Sequence, residues 1–283
     1  MPLDQIDVDK IDLDPKKNDK KEMSFLDHLE ELRWHLVRSL LSILVIAIVV
    51  FVMKSFVFQN IIFAPKEPSF LTYRIFCSLS EVLCLTPPEF QVQAFKIEEQ
   101  FVTHLKVSIV LGFIVAFPYV FYEIWNFVKP GLYDKEIKAA RGIVAVCSIL
   151  FLSGVLFGYY IITPFALTFL TNYNLADTVA QPTLTSYVNN LTMYTLPTGL
   201  LFELPIVMFM LAKIGLITAG DLRTYRKVAF VVILVVSAII TPPDIMTMLM
   251  ITFPLYMLYE MSIYIVARVE KKQKIKDEVS ETN

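Results

Sequence analysis

The sequence is poor in charge, cysteine and histidine, and each shortage excludes a class of protein. Only 18% of its 283 residues are charged, against about a quarter in average soluble domains, whereas 56% are hydrophobic. Three cysteines are too few for a disulfide scaffold, and a net charge of −2 excludes a basic nucleic-acid binder. Neither a glycine-rich phosphate loop nor a Gly-x-Ser-x-Gly turn is present. We therefore expect neither an enzyme nor a cofactor or metal site.

Apolar sequence is abundant, and it falls in runs long enough to cross a membrane. A bilayer core of ~30 Å needs about 20 apolar helical residues. The runs predict six transmembrane helices, at about residues 36–58, 101–122, 142–170, 191–212, 228–241 and 245–265. The Pro242-Pro243 pair separates the last two because adjacent prolines cannot continue a helix. The sequence thus predicts an all-α integral membrane protein whose helices five and six are short.

The distribution of Lys and Arg predicts the topology. Segments that the six helices place on one side carry twenty of these residues, and those on the other side carry three. By the positive-inside rule, the N and C termini are both cytoplasmic. Residues 1–22 are polar and aperiodic, which predicts a disordered tail. We expect the membrane domain to cover residues 23–268, and residues 269–283 to form a charged cytoplasmic tail.

An amphipathic pattern precedes the first span. His28, Glu31 and His35 recur at helical spacing on one stripe, next to an apolar stripe. This pattern predicts a helix that lies at the cytoplasmic surface. The stripe suggests a metal site, but no further His or Cys joins it from a cytoplasmic loop. A solvated polar face is therefore the favoured interpretation.

Glu203 interrupts the fourth apolar run. A charge at the centre of a membrane helix costs about 2.5–3.5 kcal/mol, so such a residue is partnered, protonated or turned to a water-filled cavity. One interpretation is a functional carboxylate, and the other is a neutral Glu bonded to Thr or Tyr of a neighbouring helix. An ion-coupled transporter would also use this residue. It would need a second buried ionisable group, but Lys54, Lys106 and Glu260 each lie near the end of a span.

Several motifs together carry a family resemblance. They are His28-Leu-Glu-Glu31-Leu-Arg33, Glu98-Glu99-Gln-Phe101, Phe127-Val-x-Pro-Gly-Leu-Tyr-x-x-Glu136, Phe202-Glu203-x-Pro205 and Thr241-Pro-Pro-Asp244. In their spacing and order the chain resembles the TatC family, the multispanning subunit of the twin-arginine protein translocase, from about Ser24 to about Arg268. The resemblance implies that the six helices form a cupped, glove-like bundle, with Glu203 on its concave face. The chain departs from the family pattern at Met248, where a polar residue is usual, and at Trp34-His35.

The resemblance also implies a function. A TatC protein is the core receptor of the translocase in the bacterial inner membrane. It binds twin-arginine signal peptides of folded cargo proteins, assembles with single-span TatA- and TatB-type subunits into an oligomeric complex, and contacts lipids but no nucleic acid. Export is driven by the proton-motive force. The implied signal-peptide residues are Glu31, Arg33, Phe127, Leu132, Tyr133 and Glu136, and the implied partner contacts are Glu203 and Asp244. An ion-coupled secondary transporter that uses Glu203 is the alternative.

Cys77 and Cys84 lie in the segment that the charge count places outside the cytoplasm. Disulfides persist in oxidising compartments, so a bridge between these two residues is one prediction. Two buried free thiols that act as small hydrophobic side chains are the other, and the family does not require a bridge. Cys147 lies in a predicted membrane helix and does not reach them.

Overall fold

A computed structural model describes residues 25–79, 84–85, 87, 90–128, 137–173, 181–241 and 245–281. These residues are largely helical, and they form no β-strand beyond one isolated bridge. The α-helices are α1 (Phe25–Val52), α2 (Lys54–Val57), α3 (Leu71–Leu79), α4 (Glu99–Val128), α5 (Ile137–Phe157), α6 (Thr163–Asn172), α7 (Leu184–Leu201), α8 (Leu204–Lys213), α9 (Ala219–Thr224), α10 (Arg226–Ile240) and α11 (Ile245–Glu281). The predicted disordered tail, residues 1–22, lies outside the described residues.

Long apolar helices dominate the fold, which confirms the predicted all-α membrane class. Five helical stretches of the described chain are long and apolar enough to cross a membrane: Glu30–Val52, Glu99–Phe127, Gly142–Asn172, Leu184–Lys213 and Thr247–Lys272. The fifth predicted span corresponds to α10, which has 15 residues. At 1.5 Å per residue it reaches about 22 Å, less than a ~30 Å bilayer core. The count of six spans and the cytoplasmic termini stay predictions.

The prediction of a short sixth helix is wrong. α11 has 37 residues, and its apolar stretch Thr247–Lys272 alone has 26. The prediction counted only the apolar run and ended it where Lys and Glu become frequent. Those residues are good helix formers, so the helix continues beyond Arg268 through most of the predicted charged tail.

α1 and α4 pack antiparallel along their lengths, and this pair of helices positions the candidate site. Near the middle of the pair, Ala47 lies against Gly112, where an added β-carbon would lie 2.9 Å from the Ala47 β-carbon. Towards the C-terminal end of α1, Phe51 stacks on His104 with ring centroids 4.0 Å apart. The small pair lets the two backbones approach closely, as is usual between membrane helices.

Polar contacts tie α4 to α7 at the N-terminal end of both helices. The Lys106 ammonium group donates to Asn189 Oδ1 at 2.5 Å. The Glu99 carboxylate accepts from the backbone N–H groups of Thr185 and Phe95, both at 2.9 Å. Buried charged groups are tolerated when they are hydrogen-bonded in this way. The Glu99 carboxylate thus joins the segment that precedes α4 to the first turn of α7.

At Gly158 the third apolar stretch packs very closely against α7. It begins a π-helical turn, Gly158–Ile162, which interrupts the helix after α5. A β-carbon added there would lie 2.2 Å from the carbonyl oxygen of Tyr194, and that atom belongs to the backbone of a helix. The two helices would therefore have to move apart to accept any other residue.

We expect Gly158→Ala to lower the free energy of unfolding by about 1–3 kcal/mol, the usual range for overpacking a well-filled interior. The melting temperature of the purified protein in detergent measures the effect. Gly142→Ala is the matched control, since a β-carbon at Gly142 meets nothing within 4 Å. Equal melting temperatures for the two variants would contradict the packing described here.

The segment between the first two long spans is held by its own contacts. The Tyr73 hydroxyl donates to the Pro65 carbonyl oxygen at 2.9 Å, and burial raises the pKa of Tyr73 to about 12, so that it stays a neutral donor. The structure joins Cys77 and Cys84 by a disulfide and leaves Cys147 as a buried free thiol. The segment therefore has the bridged form of the two alternatives.

Thiol labelling gives a quantitative test of this pairing. We expect the denatured, non-reduced protein to take up one alkyl group, on Cys147, and the reduced protein to take up three, because the chain has three cysteines. Intact-mass measurement counts the adducts. Three adducts without reduction would mean that both thiols of the pair are free.

Candidate functional site

A partly buried polar pair joins α1 to α4 in the N-terminal half of α1. His35 Nδ1 lies 2.5 Å from Glu123 Oε2, and these side chains are 20% and 5% exposed. Tyr119 lies one turn earlier on α4, with its hydroxyl near the Glu123 carboxylate. A nearly buried carboxylate needs such donors, since an unpaired buried charge is strongly unfavourable. We call His35, Tyr119, Glu123 and the adjoining Phe127 the His35 cluster.

Two residues implied by the family resemblance lie at this cluster. Phe127, at the end of α4, meets the His35 ring edge-on, with centroids 6.3 Å apart. Glu31 lies on α1 one helical turn before His35 and is partly buried. Because residues four apart share a face of a helix, Glu31 lies on the side of α1 that turns His35 towards α4. Arg33 is exposed on another side of the same turn.

Four other implied site residues lie outside the described part of the chain. Leu132, Tyr133 and Glu136 belong to residues 129–136, which follow α4 directly, and Asp244 belongs to residues 242–244, which precede α11. Their roles stay predictions. The structure therefore brings Glu31 and Phe127 to one end of the α1–α4 pair, from which the chain continues towards Glu136.

Glu203 occupies a second, separate position. It lies in the turn between α7 and α8, at the N-cap of α8, two residues before Pro205. The carboxyl group is buried, and neither oxygen makes a hydrogen bond of normal geometry within the described residues. The thiol of Cys147 on α5 faces it. The described residues therefore do not show the predicted hydrogen bond from Glu203 to a Thr or Tyr of a neighbouring helix.

The sequence pattern failed to identify the His35–Glu123 pair. His35 was expected on a solvated polar face, and that expectation is wrong because the side chain is mostly covered by α4. Glu123 falls directly after an apolar run, where a charge is read as the end of a span. A histidine directly before the first predicted span and a carboxylate directly after the second were the available signal. Their pairing depends on a contact across 88 residues.

Comparison with known proteins identifies the family. The model of "Sec-independent protein translocase protein (TatC)" matches residues 27–254. TatC from Blattabacterium sp. subsp. Periplaneta americana is 37% identical over 265 residues, which cover 91% of this chain and 100% of the relative. TatC from Aquifex aeolicus is 32% identical, with 89% of this chain and 98% of the relative covered.

Solved structures agree with these relatives. A crystal structure of the twin-arginine translocase receptor TatC matches with a TM-score of 0.68 at 31% identity, covering 86% of this chain and 99% of that chain. A second crystal structure of that receptor, in the detergent DDM, matches with the same TM-score and covers 98% of its own chain. The similarity thus extends over almost the whole length of each relative. The chain belongs to the TatC family of Sec-independent protein translocase proteins.

Proposed function

We propose that the chain is the receptor of a twin-arginine translocase and that the α1–α4 end holds the paired arginines of signal peptides. As a TatC protein it is a multi-pass protein of the bacterial inner membrane and a core subunit of the translocase, not an enzyme. The observation that carries the proposal is the position of Glu31, on the covered face of α1 beside the His35 cluster.

The chemistry of arginine supports a carboxylate site. A guanidinium group presents a planar fork of N–H donors, which a carboxylate accepts through two parallel hydrogen bonds. A lysine ammonium group is a point charge and does not reproduce this geometry. Two carboxylates on separate elements, Glu31 on α1 and Glu136 after α4, would each hold one arginine. Such a site separates Arg-Arg from Lys-Lys by geometry as well as charge.

Export requires other subunits, and Glu203 is the candidate contact for them. The chain works in a complex with other Tat subunits. We propose single-span TatA- and TatB-type helices as its partners, folded proteins with twin-arginine signals as its cargo, and the proton-motive force as the source of energy. A buried carboxyl group that lacks a hydrogen bond is suited to accept one from a polar side chain of a docking helix.

An ion-coupled transporter is not supported. The family to which the chain belongs translocates proteins. A relay of charge would need ionisable groups in sequence through the bundle. In the described residues, Lys106 is bonded to Asn189 and Glu260 to Arg226, and neither of these pairs includes Glu203. The Lys106–Asn189 contact joins α4 to α7, and the Glu260–Arg226 contact joins α11 to α10.

Photo-crosslinking of a twin-arginine signal peptide tests the proposal. A photoreactive residue at Trp34, which is 57% exposed and leaves Glu31 intact, is expected to label an Arg-Arg peptide more strongly than its Lys-Lys variant. The control probe replaces Tyr225, 60% exposed at the start of α10, and should label neither. Equal labelling of both peptides from both probes would contradict the proposal.

A further inference from the structure

The His35–Glu123 pair occupies a defined level in the α1–α4 interface. The two helices are antiparallel, so one turn towards the N-terminus of α1 and one turn towards the C-terminus of α4 lead to the same end. Glu31 is one turn beyond His35, and Phe127 is one turn beyond Glu123. Residues four apart lie on one face of a helix. The pair therefore sets Glu31 and Phe127 side by side at that end of the interface.

The orientation of α1 depends strongly on this contact, because α1 is less covered by other helices than the remaining long spans are. Only 11% of its most apolar stretch is buried, against 28% to 44% in the other four, and α4 is its main partner among the described helices. Around the pair, Leu32, Trp34 and Leu36 are exposed. The Ala47–Gly112 contact and the Phe51–His104 stack orient the C-terminal half of α1 against α4. The short, directional hydrogen bond between His35 and Glu123 orients the N-terminal half of α1.

We infer that His35 and Glu123 are positioning residues, which hold Glu31 in the orientation that binds an arginine of the signal peptide. Binding groups must be held within about 0.5 Å and 10–20° of the productive geometry by supporting residues. His35 donates through Nδ1–H to the Glu123 carboxylate, and the Tyr119 hydroxyl lies near the same carboxylate. Glu123 makes these contacts within the interface, and Glu31 is the carboxylate that we propose to bind the ligand. The inference rests on the proposed function for its ligand, but not for its geometry.

The test exchanges the pair for two leucines. His35→Leu/Glu123→Leu keeps the interface filled, and exchanging a buried ion pair for apolar side chains often leaves folding intact. We expect the dissociation constant for an Arg-Arg signal peptide to rise about tenfold and that for the Lys-Lys peptide to change little. His35→Arg, which still donates to Glu123, should bind like the unmodified protein.

A matched control removes an equally short contact at the other end of α4. Lys106→Leu/Asn189→Leu eliminates a 2.5 Å hydrogen bond to α7 without touching the His35 cluster. The ratio of the two dissociation constants should stay that of the unmodified protein. If the leucine pair at 35 and 123 left this ratio unchanged in a folded protein, or if the control lowered it equally, the inference would be overturned.

A second readout is independent of the peptide. Cysteines introduced at positions 31 and 127 can be joined by a short bismaleimide, since Cys77 and Cys84 are bonded to each other and Cys147 is buried. We expect the leucine pair to slow this cross-linking severalfold, and an unchanged rate overturns the inference. If the unmodified protein did not prefer Arg-Arg peptides, the proposed function would fail while the cross-linking rate still decided the positioning role.

Discussion

Glu31→Gln is expected to raise the dissociation constant for an Arg-Arg signal peptide by about ten- to a hundredfold. A hydrogen bond to a charged group contributes on the order of 1.5–3 kcal/mol, and each 1.4 kcal/mol is a factor of about ten. Glutamine keeps the shape of the side chain but offers one acceptor oxygen and no charge to the guanidinium fork. Fluorescence titration of a labelled peptide against the purified protein measures the loss.

The neighbouring Glu30 provides a control of identical chemistry. It is exposed and lies about 100° away around α1, so Glu30→Gln should leave the affinity unchanged. Glu136→Gln should resemble Glu31→Gln, and the double variant should lose less than the sum if both carboxylates hold one Arg-Arg pair. A double variant that bound with the affinity of the unmodified protein would refute this assignment.

Glu203→Ala is expected to reduce export about tenfold while the protein accumulates normally. The carboxyl group is buried without a hydrogen bond, so its removal leaves no described partner unsatisfied. A polar contact between membrane helices contributes about 1–2 kcal/mol, and losing one contact to a partner subunit would account for the reduction. Export of a reporter with a twin-arginine signal, normalised to the amount of protein in the membrane, measures it.

Thr198→Val is the matched control for Glu203. Thr198 is fully buried on α7, and its hydroxyl likewise lacks a hydrogen bond within the described residues. This variant should accumulate and export like the unmodified protein. If Glu203→Ala failed to accumulate and Glu203→Gln restored it, Glu203 would be a packing residue, and the assignment as a partner contact would be wrong.

The membrane class was predictable because a long apolar run indicates a membrane helix without knowledge of tertiary contacts. A run such as Leu191 to Ala212 must be helical in a bilayer, where every backbone polar group needs a partner within its own segment. Boundaries were less predictable. The end of α11 was misjudged because charge stops an apolar run without stopping a helix, and the π-helical turn at Gly158 has no signal in hydropathy.

The candidate site was predictable where a local motif existed. Glu31 and Phe127 were identified from short motifs, and the structure brings them to one end of α1 and α4. The pairing of His35 with Glu123 was not predictable, since the two are 88 residues apart and meet only through the packing of α1 on α4. That the Glu203 carboxyl group lacks a hydrogen bond was not predictable either, because the sequence does not determine which side chains surround the turn between α7 and α8.

Discrimination between arginine and lysine tests the account most directly. The measurement is the ratio of the dissociation constants of the unmodified protein for two signal peptides that differ only in Arg-Arg against Lys-Lys. Because a carboxylate pairs with a guanidinium through two parallel hydrogen bonds, we predict a ratio of at least about ten in favour of Arg-Arg, which Glu31→Gln lowers. Equal affinity for the two peptides, or a ratio that Glu31→Gln leaves unchanged, would contradict it.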